Sequence, residues 1–215
     1  MKQETLEGRG NLTIFFRSWT PTTEPRGVVI IVHGFNSHSG QYGWAAEQFT
    51  ARGLSVYALD LRGRGKSEGE RYFVEQIDDY VDDLLRLTTL VKARHPKLPL
   101  FVLGHSAGGV VACTFALEHQ SLVEGLICES FAQEVPAPQF ALSIVRAVSK
   151  TAPHAKVYRL HNEDFSRDPN AVKALNDDPL IMNERQPART VAAFMDAEDR
   201  LAREFPQITL PVLIL

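Results

Sequence analysis

Gly104-His105-Ser106-Ala107-Gly108 follows the apolar run at residues 98–103 and opens into the small-residue stretch Gly109-Val110-Val111-Ala112. The order is strand, sharp turn, helix, with a serine at the apex. In a G-x-S-x-G elbow the glycines permit a strained backbone and close helix packing, which lifts the serine hydroxyl out of the sheet. Ser106 therefore reads as a nucleophile, supported by Gly104 and Gly108. The competing reading is a serine that caps a helix, and capping would not require glycine on both sides.

Working outward, apolar runs alternate with amphipathic stretches, the pattern of an α/β protein with a mostly parallel, doubly wound sheet. Residues 12–19, 28–32, 54–59, 98–103 and 122–128 read as strands. Val28-Val29-Ile30-Ile31-Val32 is apolar throughout, as expected of a strand covered on both faces. Helices are expected over 41–52, 74–93 and 106–118. In the second of these, Ile77, Val81, Leu84, Leu87 and Val91 recur at helical spacing, and the acidic group Asp78, Asp79, Asp82 and Asp83 falls mainly on the solvated side.

From Phe131 the pattern changes, with an amphipathic helix over 139–149, a polar stretch over 164–176 and another helix over 190–205. Some 75 residues between two sheet strands far exceed the usual crossover of about a dozen. The segment 131–208 is read as a largely helical cap inserted over the strand ends. Residues 1–130 form the N-terminal part of the core, and 209–215 begin its C-terminal part.

Composition narrows the function. The 215 residues are 44% hydrophobic and 23% charged with a net charge of −3, which suits a folded domain and gives no basic footprint for nucleic acid. Met1 to Thr5 carries no apolar signal core, so a cytoplasmic location is expected, with transient membrane contact through the cap left open. Cys113 and Cys128 are expected to be buried rather than bridged, and no spacing calls for a metal or a cofactor.

His33-Gly34-Phe35 follows the first buried strand, where a loop can aim a backbone N–H across the cleft. The N–H groups of Phe35 and Ala107 are the candidate oxyanion hole, and Gly34 allows close approach. Asp60-Leu61-Arg62-Gly63-Arg64-Gly65-Lys66-Ser67 lacks the spacing of a phosphate loop and reads as structural turns.

Taken together, His33 to Tyr42, the loop at 60–69, the elbow at 104–109, and the cap stretches 164–169 and 176–180 resemble monoacylglycerol lipases of the α/β-hydrolase superfamily. The resemblance implies an acyl-ester hydrolase using Ser106, a small lipid ester as substrate and an apolar tunnel under the cap. It also implies a catalytic acid after the strand at 211–215 and a histidine after a later strand. Neither occurs within these 215 residues, so the core is read as incomplete at its C-terminus and this chain alone as inactive.

Among the histidines present, His33 and His105 read as buried supports. His38 lies in the loop at the cleft, placed to touch substrate or to stand in as a base. Phe140 and Ile144 on the cap helix are candidate pocket wall, although the same helix could simply pack on the core. Two classes of function stand: an ester hydrolase (monoacylglycerol lipase, lysophospholipase, thioesterase or peptidase), and a non-catalytic scaffold holding an apolar ligand.

Overall fold

The computed structural model describes residues 1–131 and 138–215. Its main sheet has seven strands: β1 (Lys2–Glu7), β2 (Thr13–Trp19), β3 (Gly27–Val32), β4 (Leu54–Leu59), β5 (Leu100–His105), β6 (Gly125–Glu129) and, last in the chain, β9 (Val212–Ile214). They lie in the order β1-β2-β4-β3-β5-β6-β9. The first two pairings are antiparallel; from β4 onward all are parallel.

Strand alternation divides the core between the two faces of the sheet. Val28, Ile30 and Val32 join one cluster, while Val29 and Ile31 join another with Ala46, Val56 and Ala58. The helix α1 (Gly43–Thr50) covers the second cluster. On the opposite face pack α2 (Ile77–Arg94) and α3 (Ala107–His119), the latter buried on nearly every side. Burial on all sides explains why α3 is apolar around its whole circumference.

Because β4 lies on one side of β3 and β5 on the other, the chain changes direction across the sheet between β3 and β5. Crevices for ligands open at the carboxyl ends of strands at such a switch. The loops leaving those two strands begin at His33 and Ser106.

From Gln139 onward come α4 (Gln139–Thr151), β7 (Lys156–Tyr158), α5 (Pro169–Asn176), β8 (Gln186–Pro187) and α6 (Ala188–Glu204). β7 and β8 form a separate antiparallel pair. The expected cap over 131–208 takes in residues 132–137, which lie outside the described residues. It also takes in α6, whose Ala193, Phe194, Ala197 and Leu201 belong to the core cluster with α2 and α3. We infer that the cap ends before α6. Among the described residues no helix is long and apolar enough to cross a membrane. Cys113 and Cys128 are free and buried, with their sulfurs 3.6 Å apart.

Candidate active site

Ser106 sits between the last residue of β5 and the first of α3 with φ 53° and ψ −122°. A non-glycine residue held there stores about 1–3 kcal/mol and persists only when its neighbours over-determine it. Two backbone bonds do so: Ser106 N–H donates to Glu129 O at 2.9 Å, and Ser106 O accepts from Gly109 N–H at 2.9 Å. The flanking glycines answer to contacts. A Cβ on Gly104 would lie 2.5 Å from Gly108 O, and one on Gly108 would lie 2.2 Å from Val32 O. Across the cleft, a Cβ on Gly34 would fall 3.3 Å from Ser106 Oγ. The structure therefore brings Gly34 and the first turn of α3, with Ala107 at its start, to the serine.

The loop after β3 is anchored by His33, which is fully buried. Its Nε2 accepts from Leu61 N–H at 3.0 Å, leaving Nδ1–H to donate to Gly34 O at 2.7 Å. Burial pushes its pKa from an ordinary 6.5 to about 4, the nearby Asp60 offsetting only part of that effect. Between those two values the unfolded chain binds the proton and the folded chain does not. Stability attributable to His33 is thus complete above pH 6.5 and falls by roughly 3 kcal/mol as the pH drops to about 4. Denaturant midpoints measured across this range should fall with pH, and the fall should flatten in His33→Asn; equal slopes in both proteins would contradict the assignment.

Phe35 is seated between two groups. Phe194 of α6 meets its ring edge-on at 4.7 Å, and the Arg64 guanidinium carbon lies 4.7 Å from its centroid. Arg64 is 1% exposed. It pairs with Glu184, and its Nη2 donates to Gln186 Oε1 at 2.7 Å. Burial opposes the charge on Arg64, but Glu184 and Tyr80 outweigh it and raise its pKa. Asp60 ties the neighbouring loops together, accepting from Ser39 N–H at 2.7 Å and Lys66 N–H at 2.8 Å.

His38 occupies a different setting from that of a free base. Its Nδ1 accepts from Gly40 N–H at 3.0 Å, and Nε2–H donates to Asp178 at 2.8 Å, so both ring nitrogens are engaged. Burial works against ionisation of Asp178, yet His38, Leu180 N–H and Gln41 together hold its carboxyl below the usual range. His105 is bound by Tyr42 O–H on Nδ1 at 2.8 Å and by Glu129 on Nε2 at 3.1 Å. Burial pushes its pKa down, partly offset by Glu129. Phe140 and Ile144, expected in a pocket wall, stand 71% and 58% exposed. The more buried positions of α4, Leu142, Val145 and Ser149, lie on another face, and α4 packs against α6.

Two partnerships escaped sequence reasoning: Arg64 with Glu184, 120 residues apart, and His38 with Asp178, 140 apart. No local pattern announces pairs at such separations.

The family described as serine aminopeptidase, S33, matches residues 23–215. The chain belongs to this family. Within it, the chain is 31% identical to the monoacylglycerol lipase of Mycolicibacterium smegmatis over 215 residues, 99% of this chain and 77% of that protein. It is also 31% identical to human monoglyceride lipase over 205 residues, 94% of this chain and 68% of that protein. Among solved structures, the monoacylglycerol lipase of Paleococcus ferrophilus superposes with a TM-score of 0.81 at 28% identity, covering 93% of this chain and 76% of that one. This S33 member is an α/β-hydrolase similar to monoacylglycerol lipases, a hydrolase of lipase or esterase type.

Proposed function

We propose that the protein hydrolyses monoacylglycerols or closely similar single-chain lipid esters through an acyl-enzyme on Ser106. The observation that carries this reading is Ser106 itself, held at positive φ at a switch point of the sheet with no side chain on Gly34 to block its Oγ. Attack by Oγ forms the carbon–oxygen bond of a tetrahedral intermediate as a histidine base takes the hydroxyl proton. Collapse expels the alcohol, which recovers that proton, and water then releases the fatty acid. The Phe35 and Ala107 N–H groups hold the oxyanion. The base and its orienting acid are those that the resemblance implies in loops following the strand that matches β9, and the tests below are made on protein that carries them.

The alcohol portion has its own support. Among the described residues, Asn36 Oδ1 and Glu184 Oε2 are buried acceptors without a hydrogen-bond partner. Both residues line a polar cavity of about 170 Å³ between the loop after β3 and the cap. Hydroxyl groups would supply the missing donors. The exposed Phe140 and Ile144 on α4 suit transient contact with a lipid surface that delivers the substrate.

A second reading, peptide cleavage, is favoured by the description of the family alone. Comparing kcat/KM for a monoacylglycerol, a lysophospholipid, a long-chain acyl thioester and an aminoacyl anilide separates these readings. The monoacylglycerol should lead by at least about tenfold, the scale of a few well-placed polar contacts. Preference for the anilide would reject the lipid reading.

A further inference from the structure

Arg64 heads the fully buried side chains in volume, and it is a cation. Burying a guanidinium is costly unless its donors are matched, and here each of its three nitrogens meets a partner, drawn from two parts of the fold. Nη1 meets Glu184 and Nη2 meets Gln186, both at the junction of the cap with α6, while Nε lies 3.4 Å from Tyr80 Oη on α2. With three edges engaged, the orientation of the plane is fixed. The same cation lies over the Phe35 ring. A planar guanidinium both stacks and hydrogen-bonds in its own plane, which an ammonium cannot do.

Phe35 is also where the oxyanion loop turns. Its neighbour Asn36 has φ 47°, and Gly34 packs against the elbow, so the peptide between them depends on where the ring is seated. We propose that Arg64 is a positioning residue: a plane clamped by Glu184 and Gln186 on which Phe35 rests, so that the Phe35 N–H keeps its direction as charge develops. The inference rests on the reading of Ser106 and Phe35 given above. It adds that the junction of the cap with α6 governs oxyanion geometry through Glu184.

The test is a double-mutant cycle on the full-length protein with Arg64→Lys, Phe35→Leu and both together. Readouts are kcat and KM on a soluble short-chain ester, the rate of fluorophosphonate labelling of Ser106, and the thermal midpoint. Arg64→Lys keeps the charge but loses the stacking plane, and should lower kcat and labelling rate about tenfold with KM changed less than about twofold. In the Phe35→Leu background the same change should alter kcat less than about twofold.

Retention of kcat with a lowered midpoint would show a purely structural ion pair and overturn the proposal. A loss of the same size in both backgrounds, or a loss expressed in KM, would overturn it as well. Should Arg64→Lys fail to fold, Gln186→Met removes the other acceptor of the same clamp without touching the polar cavity and should show the same split on a smaller scale; unchanged kcat there overturns it. Absence of turnover and labelling in the unaltered protein would reject the reading of the site itself, and this inference with it.

Discussion

Ser106→Ala in the full-length protein should lower ester turnover by about a million-fold and abolish the fluorophosphonate adduct, the loss typical of a removed serine nucleophile. Its fold should survive, because among the described residues the hydroxyl carries none of the bonds that hold the elbow. Those run from the backbone, Ser106 N–H to Glu129 O and Gly109 N–H to Ser106 O. A companion variant tests whether position 106 stores strain. Glycine adopts φ near 53° without the clash that a Cβ incurs, so Ser106→Gly should be as inactive as Ser106→Ala yet about 1 kcal/mol more stable. Turnover within a hundredfold of the unaltered protein in a folded Ser106→Ala variant would remove Ser106 from the mechanism. Equal stability of the alanine and glycine variants would remove the strain argument and leave the nucleophile in place.

The strands of the sheet were legible because both faces are covered. Five consecutive β-branched residues at 28–32 can be interior on both sides only in a two-layered cover, and alternate members do enter opposite clusters. Where burial fades, so does the signal. β1, Lys2–Glu7, is mostly polar, and backbone pairing to β2 with the Arg94–Glu4 ion pair holds it at the sheet edge. Boundaries moved where a tertiary contact overrode local preference. α2 begins at Ile77 rather than at 74, since Val74 N–H is taken by Thr190 Oγ1 at 3.0 Å and Gln76 is extended. β5 runs on to His105 because the ladder to β6 continues through Gly104 and His105. In the candidate site, the elbow could be read from neighbouring residues, whereas the buried partnership of Arg64 with Glu184 exists only once the cap has returned to the core.

Gly108→Ala should be the most damaging conservative change in the elbow. The added methyl carbon would lie 2.2 Å from Val32 O and 2.6 Å from His33 O, both backbone atoms at the end of a strand buried on each face. Neither carbonyl can rotate away, so α3 must retreat from the sheet by about 1 Å in an interior packed at crystal density. The helix gains roughly 1 kcal/mol of propensity from alanine, against overpacking that typically costs 1–3 kcal/mol and more when backbone blocks relaxation. A net loss of about 2 kcal/mol is expected, lowering the thermal midpoint by roughly 4–8 °C for a chain of this size. Because Ser106 precedes α3 directly, the same retreat should displace Oγ from the proposed oxyanion donor Phe35 N–H and cut turnover about a hundredfold in the surviving folded protein. Gly109→Ala supplies the contrast one position along. Its methyl would approach Phe131 Cδ2 at 2.6 Å, a side-chain ring that can turn aside. The smaller loss, under about 1 kcal/mol, should fall there. Equal penalties at the two positions would mean that close approach to β3 is not what requires glycine at 108. Unequal penalties in this order would tie the second glycine of the elbow to the carbonyls of the neighbouring strand.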